Sequence, residues 1–347
     1  MTPATEPRHT RESVRLLFVE GFRNRFRDAR LTDLPDLLQP GDLLVLNDAA
    51  ALPASLRAVT PSGAQIEIRL LRHVRDSEWQ AVLLGEGDWR TPTELRDPPP
   101  KVSAGDWLRI GSSFGAEVAA IATTSDRLLT LRFNRSIPEM WAGIYAYGVP
   151  VQYSYLAGDV PLWSVQTVYG SRPWAMEMPS AGRPLAWWIL LALKRRGIHL
   201  ASLTHAAGLS AVGHEELDIR LPMTESFEIP EMTVHSIEKA RQDGGRIIAV
   251  GTTVVRALEG CAAINNGRLL PGRGETDLIV DRGFRPNVVQ GILTGVHDPA
   301  QSHFRLLHAF SDETTLRRAW RHATQAGYLC HEFGDSCLIV NSNSGSL

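Results

Sequence analysis

The chain has 347 residues, 44% of them hydrophobic, enough for two domains of roughly 100–200 residues each. Its net charge of −2 excludes a body built to grip nucleic acid over its whole surface. The most apolar run, Leu185 to Leu193, is far shorter than the ~20 residues of a membrane span. No charged-then-apolar leader opens the chain, and three cysteines make an odd count that argues against a disulfide framework. These features lead us to expect a cytoplasmic protein with no membrane association, disordered by composition only at Met1 to Pro7 and Asn341 to Leu347. Lysine occurs only at Lys101, Lys194 and Lys239, so the basic residues are almost all arginine. Genomic base composition explains that bias, and so does guanidinium recognition of phosphate. Arg8, Arg11, Arg15, Arg23, Arg25, Arg27 and Arg30 are weak candidates for backbone contacts.

In chain order, Leu43 to Leu46 reads as a short strand introduced by the turn Pro40-Gly41-Asp42 and closed by Asn47-Asp48. Gln65 to Leu70 alternates polar and apolar, and Trp79 to Leu84, Trp107 to Ile110, Ala116 to Ile121 and Leu128 to Phe133 follow at short spacing. Turn-formers such as Pro98-Pro99-Pro100 separate them. This predicts a small antiparallel barrel or sandwich over residues 57–135. Leu185 to Arg196 reads as a helix that ends in cations and Gly197. Ile198 to Leu203 is then a strand and Pro230 to Asp243 a helix. Arg246 to Val250 is a buried strand, and Gly251-Thr252-Thr253 leads into the helix Val254 to Ala263. Leu278 to Val280, Ile292-Leu293, Phe304 to Phe310 and Cys337 to Val340 would complete the sheet. The expected fold is a mixed α/β domain, residues 1–56 and 136–347, interrupted by an inserted antiparallel β-barrel at 57–135.

The strongest local signal is the joint at Gly251. A glycine there permits a sharp turn, Thr252 or Thr253 can cap the helix, and the helix start favours an anion. It lacks the glycine spacing of a dinucleotide fingerprint or a Walker loop. Gly244 to Glu259, with Ile248-Ala249-Val250-Gly251-Thr252-Thr253 and Arg256, resembles a signature of the S-adenosylmethionine:tRNA ribosyltransferase-isomerase family. Further blocks resemble it in the same order: Leu31 to Leu38, Gly41 to Asp48, Gln166-Thr167-Val168-Tyr169, Ser180-Ala181-Gly182, Glu275 to Ile279, and Gly334 to Ile339. The resemblance spans residues 15–341.

That resemblance implies transfer and isomerisation of the ribosyl part of S-adenosylmethionine onto 7-aminomethyl-7-deazaguanine in tRNA, giving epoxyqueuosine. It implies S-adenosylmethionine as a substrate and tRNA as a partner; we expect no metal, and a monomer or small homo-oligomer. The sulfonium acidifies the adjacent C5′ proton, so a base is needed, and the methionine carboxylate calls for amides or arginine. His205, Glu225 and His297 are the catalytic candidates. Asn47, Asp48, Gln166, Tyr169, Ser180, Gly182, Gly251, Thr252, Thr253, Arg256, Asp277 and Asp335 are the binding candidates. Structural readings stand beside these: Arg256 and Glu259 can pair along one helix, and Tyr169 can belong to the core.

The sequence departs from the family mainly at polar positions. Val165 stands for a tyrosine, Ala49-Ala50 for Thr-Arg, and Ser55 for an arginine. Arg183-Pro184-Leu185 stands where a histidine is usual, and Thr224 replaces another. His205 to Ser210 is a shortened block, while Thr294 to Pro299 keeps His297 and Pro299. An altered acceptor, a lyase acting on S-adenosylmethionine, or a non-catalytic binding protein each fit that pattern. His303 and His308 have the wrong spacing for one helix face, Cys330-His331 and Cys337 form no recognisable ligand set, and no nucleophile elbow is present.

Overall fold

The computed structural model describes residues 1–209, 211–218, 223–299 and 301–341; Ser210 and residues 342–347 of the two segments named above lie outside the described residues. A nine-stranded sheet organises the α/β part among them. Its order is Gly272–Thr276, Glu225–Ile229, His199–His205, Leu43–Asn47, Ile247–Val250, Gly291–Gly295, Ser336–Asn341, Arg15–Gly21 and Arg25–Arg30. The four strands from His199–His205 to Gly291–Gly295 run parallel. Leu43, Leu44, Ile247 and Ile248 have no exposure, as expected of parallel strands covered on both faces. Leu43, Val45, Ile247 and Ala249 pack with Val234 and Ile237 of the helix Glu231–Gln242 and with Val254 and Leu258 of Thr252–Ile264. Leu44, Leu46, Ile248 and Val250 face the other way, onto Ile189, Leu190 and Leu193 of the helix Trp187–Arg195.

At the entry to the two central strands, buried Asp42 accepts the Arg246 backbone N at 3.1 Å, Nε at 3.0 Å and Nη2 at 2.5 Å, and the Gln39 N at 2.8 Å. This bidentate pair fixes where both strands begin.

The second sheet closes into a six-strand antiparallel barrel: Ser55–Val59, Gln65–Arg75, Glu78–Leu84, Leu128–Phe133, Gly115–Ile121 and Trp107–Arg109, with Val59 meeting Arg109. Trp79, Leu83, Leu131 and Phe133, which share one face of their strands, fill its interior. Ser55, at a position where an arginine was expected, donates its hydroxyl to Glu67 Oε1 at 2.8 Å. Glu67 also accepts from Arg69 Nε at 2.7 Å and from Arg96.

Several expectations are corrected. Residues 278–280 form no strand; the neighbouring strand is Gly272–Thr276. Phe304 to Leu307 lies in the helix Ser302–Leu307, where Phe304 and Leu307 share one buried face, and a turn carries the run on to buried Phe310. The start of the chain is ordered: Thr2–Pro3 pairs in parallel with Leu329–Cys330, and Ala4 N donates to Cys330 O at 3.0 Å. A helix at Ile137–Tyr147 follows the barrel, begun by a capping box between Ser136 and Glu139.

Candidate functional site

The strand directions gather chemistry on one edge of the large sheet. The four parallel strands end there at Asn47, His205, Val250 and Gly295. Their antiparallel neighbours begin there, at Glu225 and Ser336, and Gly272–Thr276 ends there, just before Asp277. In α/β sheets such carboxyl ends are where ligands sit.

Gly251 makes the turn, with φ 93° and ψ 155°, a conformation open essentially to glycine. Its N–H donates to Leu293 O at 2.8 Å. The Ser180–Gly182 turn packs over it: a Cβ on Gly251 would stand 3.5 Å from the Ala181 Cβ. Neither threonine caps the helix. Gly251 is the N-cap, Thr252 and Thr253 are the first helical residues, and Thr253 Oγ1 accepts from Asn47 Nδ2 at 3.3 Å. The first amides of a 13-residue helix therefore carry no side-chain cap, which leaves this start favourable to an anion.

The densest electrostatic feature centres on Glu225. Its Oε1 accepts the Gly208 N–H at 2.9 Å. Its Oε2 lies 3.2 Å from Arg256 Nη2 and 3.3 Å from His205 Nε2. These are ion-pair distances without hydrogen-bond alignment: both His205 ring nitrogens, Glu225 Oε2, and Arg256 Nε and Nη2 are buried with no hydrogen-bond partner. Buried polar atoms are normally paired, so a concentration of them on three adjacent side chains marks a place prepared for something else. Arg256 does not pair with Glu259. Glu259 instead accepts the backbone N–H groups of Asn287, Val288 and Val289, each at 2.9 Å. Burial holds His205 below the usual histidine range, with Glu225 opposing the shift and Arg256 adding to it, so the ring is neutral near pH 7.

His297 stands at the end of the next parallel strand. Its Nε2 lies 2.8 Å from Thr294 Oγ1, and its ring stacks on His303 with centroids 5.0 Å apart. Both imidazoles are half-buried and held well toward the neutral form by burial; His303 also feels Glu225 and Arg256. In the sequence His303 stands out only against the metal-ligand spacing with His308, and nothing local places it at this edge. The missed signal was the helical spacing of Phe304 and its neighbours, which turns His303 back toward His297. A polar recess flanks Glu225 on the barrel side, lined by Arg72, Gln80, Gly208, Thr224 and Ser226.

The other expected binding residues divide. Asp48 accepts Thr204 Oγ1 at 2.6 Å beside the edge. Tyr169 keeps a buried, unbonded hydroxyl raised in pKa by burial and by Asp48, and it abuts Gly182, where a Cβ would stand 1.9 Å from that hydroxyl. Ser180 opens the turn over Gly251. Asp277 is exposed and acts on Arg256 electrostatically. Three have their polar groups engaged by the protein. Asn47 Oδ1 accepts from the His205 and Ala49 N–H groups at 2.9 and 3.1 Å. Gln166 pairs both ways with Ala51, at 2.9 Å each. Asp335 binds Arg8 Nη2, Arg15 N and Leu329 N at 2.6, 2.8 and 2.9 Å. Among the described residues no group of three or more His, Cys, Asp or Glu side chains is arranged to hold a metal, and no helix is long and apolar enough to cross a membrane.

Fold and site define a mixed α/β protein that presents a charged ligand edge at its strand ends and carries a closed β-barrel. The chain belongs to the queuosine biosynthesis protein family, whose model matches residues 2–339. It is 32% identical over 345 residues to the S-adenosylmethionine:tRNA ribosyltransferase-isomerase of Rhodospirillum rubrum, covering 98% of this chain and 94% of that protein. The enzyme of the same name from Gloeobacter violaceus is 34% identical, with 97% and 92% covered. The crystal structure of S-adenosylmethionine tRNA ribosyltransferase from Thermotoga maritima matches with a TM-score of 0.52 at 25% identity, covering 97% of this chain and 96% of that one.

Proposed function

We propose that this chain is an S-adenosylmethionine-dependent ribosyltransferase-isomerase. It moves the ribosyl part of S-adenosylmethionine onto 7-aminomethyl-7-deazaguanine in tRNA, giving epoxyqueuosine and releasing adenine and methionine. The observation that carries the reading is the Glu225–Arg256–His205 group, buried and unsatisfied at the strand edge of a chain related over nearly its full length to enzymes of that name. The helix start at Gly251, Thr252 and Thr253, together with Arg256, suits the methionine carboxylate. Glu225, open to the flanking recess, and half-buried His297 are the groups placed to exchange protons with substrate. His205 has no exposure, so it acts behind Glu225 as a positioning residue. Asp48, Tyr169, Ser180, Gly182 and Asp277 shape the surrounding wall, and Asn47, Gln166 and Asp335 hold that wall together.

We keep a domain division near 57–135 within 1–56 and 136–347, although the first barrel strand, Ser55–Val59, begins two residues before that boundary. We place the enzyme in the cytoplasm, as a monomer or small homo-oligomer that requires no metal.

The test is adenine and methionine release from S-adenosylmethionine, with and without tRNA carrying 7-aminomethyl-7-deazaguanine. Release only with that tRNA, together with epoxyqueuosine, is the expected result. Release without it overturns the acceptor and leaves another acceptor or a lyase. Binding without release leaves a binding protein.

A further inference from the structure

Arg183 is a buried guanidinium with no counter-charge. It is 4% exposed, its Nε donates to Ser164 O at 2.6 Å, and its Cζ lies 4.8 Å from the Phe333 ring centroid. The other buried arginines among the described residues, Arg69, Arg96, Arg246 and Arg256, each face a carboxylate. Arg183 pairs with none, and the charged group it feels is a second cation, Arg11. Burial and then Arg11 pull it down to about 10, which leaves it charged near pH 7. Half-buried Arg11 donates to Gln166 O at 3.1 Å and likewise pairs with no carboxylate among the described residues. Burying a charge without a partner is costly, so an anion from outside the chain is the element this pair lacks.

Three exposed tryptophans stand on the same segments: Trp163 at 72%, Trp187 at 58% and Trp188 at 46%. Trp163 precedes Ser164, and Trp187 and Trp188 open the helix that follows Arg183. Trp188 Nε1 donates to Glu12 Oε1 at 2.9 Å, which engages the carboxylate next to Arg11 in the chain. Guanidinium groups beside open aromatic faces suit single-stranded nucleic acid, whose phosphates take the charge and whose unpaired bases stack. A second copy of the chain would cover the tryptophans but would leave both arginines unneutralised.

We propose that this surface binds a single-stranded loop of RNA, with a backbone phosphate between Arg183 and Arg11 and unpaired bases on Trp163 and Trp187. It borders the strand edge, because Arg183 follows the Ser180–Gly182 turn that packs over Gly251. Resting on the proposed function, the RNA is the tRNA loop that carries the acceptor base. Arg183 falls at a departure from the family pattern, which then marks a changed RNA contact.

The test uses the full chain with Arg183→Gln and with Trp163→Ala, each checked for folding by far-ultraviolet circular dichroism. Binding of the isolated tRNA stem-loop that carries the acceptor base is followed by fluorescence anisotropy over a salt series, beside an RNA duplex of the same length. Wild type should bind the stem-loop about tenfold more tightly than the duplex, with quenching of tryptophan fluorescence. Arg183→Gln should weaken stem-loop binding about tenfold and flatten the slope of log affinity against log salt by about 0.7, the share of one phosphate on a single strand. Trp163→Ala should weaken it about tenfold with the slope unchanged. Both should raise the KM for tRNA and leave that for S-adenosylmethionine alone. If Arg183→Gln does not fold, Trp163→Ala and the preference for the stem-loop decide. A wild type that binds the stem-loop in this way but turns nothing over defeats the functional reading and leaves the surface standing. Turnover on tRNA with Kd, salt slope and KM unchanged in the folded variants overturns the surface and leaves the function. Equal binding of the duplex overturns it too, and so does dimerisation in sedimentation that Trp163→Ala abolishes, which gives this face to a second copy.

Discussion

Replacing Glu225 by glutamine isolates the charge at the centre of the site. The amide oxygen still accepts the Gly208 N–H, now at 2.9 Å, so the loop after His205 keeps its anchor. What disappears is the negative charge 3.2 Å from Arg256 Nη2 and 3.3 Å from His205 Nε2. Arg256 is only 8% exposed, and burial already opposes its charge, with Glu225 the leading compensation. Breaking a buried pair on one side leaves an uncompensated charge, at a cost of about 3–5 kcal/mol. In a chain of this size that is a fall in Tm of roughly 6–10 °C, taking ~2 °C per kcal/mol. Urea unfolding of Glu225→Gln, Arg256→Met and the double variant measures the coupling. Arg256→Met alone should cost less than Glu225→Gln, and the double variant should recover at least 1–2 kcal/mol of the summed losses, on the order of coupling seen between contacting residues. Strict additivity, or a Glu225→Gln chain within about 1 kcal/mol of wild type, would refute the claim that the two charges depend on each other.

Asp42→Ala removes the acceptor for Arg246 and for Gln39 N, and should cost about 3–5 kcal/mol by denaturant unfolding while leaving the barrel's near-ultraviolet signal in place. Gly251→Ala must hold a φ of 93° that side chains avoid, so a loss of about 1–3 kcal/mol and weaker donor binding are expected from unfolding and calorimetry. His297→Ala should lower single-turnover adenine release by roughly 10²–10⁴-fold with little change in the Kd for S-adenosylmethionine. Glu332 predicts a pH dependence. Its carboxyl is raised to about 7, so between the ordinary carboxylate range and pH 7 the folded chain holds a proton that the unfolded chain has released. Stability from this group is present at low pH and falls by roughly 3 kcal/mol as pH rises through that window. Glu332→Gln should therefore gain stability relative to wild type from pH 5 to 7, and a difference that does not change with pH would contradict the assignment.

The parallel core was legible because its strands announce themselves. Leu43 to Leu46 and Ile247 to Val250 are continuous apolar runs bounded by turns, and they pair side by side through Ala249 and Val45. The barrel was legible from alternation and turn spacing. What escaped were elements whose signal is tertiary. Ala49–Ala51 forms a strand only because Arg172–Ala175 lies beside it, and Thr2–Pro3 only because Leu329–Cys330 does. The Phe304 run was too short for its period to decide between helix and strand. Of the site, Gly251, Arg256, His205 and Glu225 were visible as residues, but the distances joining Glu225 to both others were not, since Glu225 arrives on an antiparallel strand. Glu332 carried no local pattern at all; its carboxyl becomes notable only when the fold buries it beside Tyr155, whose hydroxyl donates to it.

The account rests on the strand edge as the place where S-adenosylmethionine is held, and the structure of the chain in complex with it tests that most directly. The predicted result is a ligand lying across the ends of the four parallel strands, its carboxylate at the amides of Thr252 and Thr253 or at Arg256, and its sulfonium beside Glu225 and His297. A ligand bound elsewhere, with the Glu225–Arg256–His205 group untouched, would contradict it.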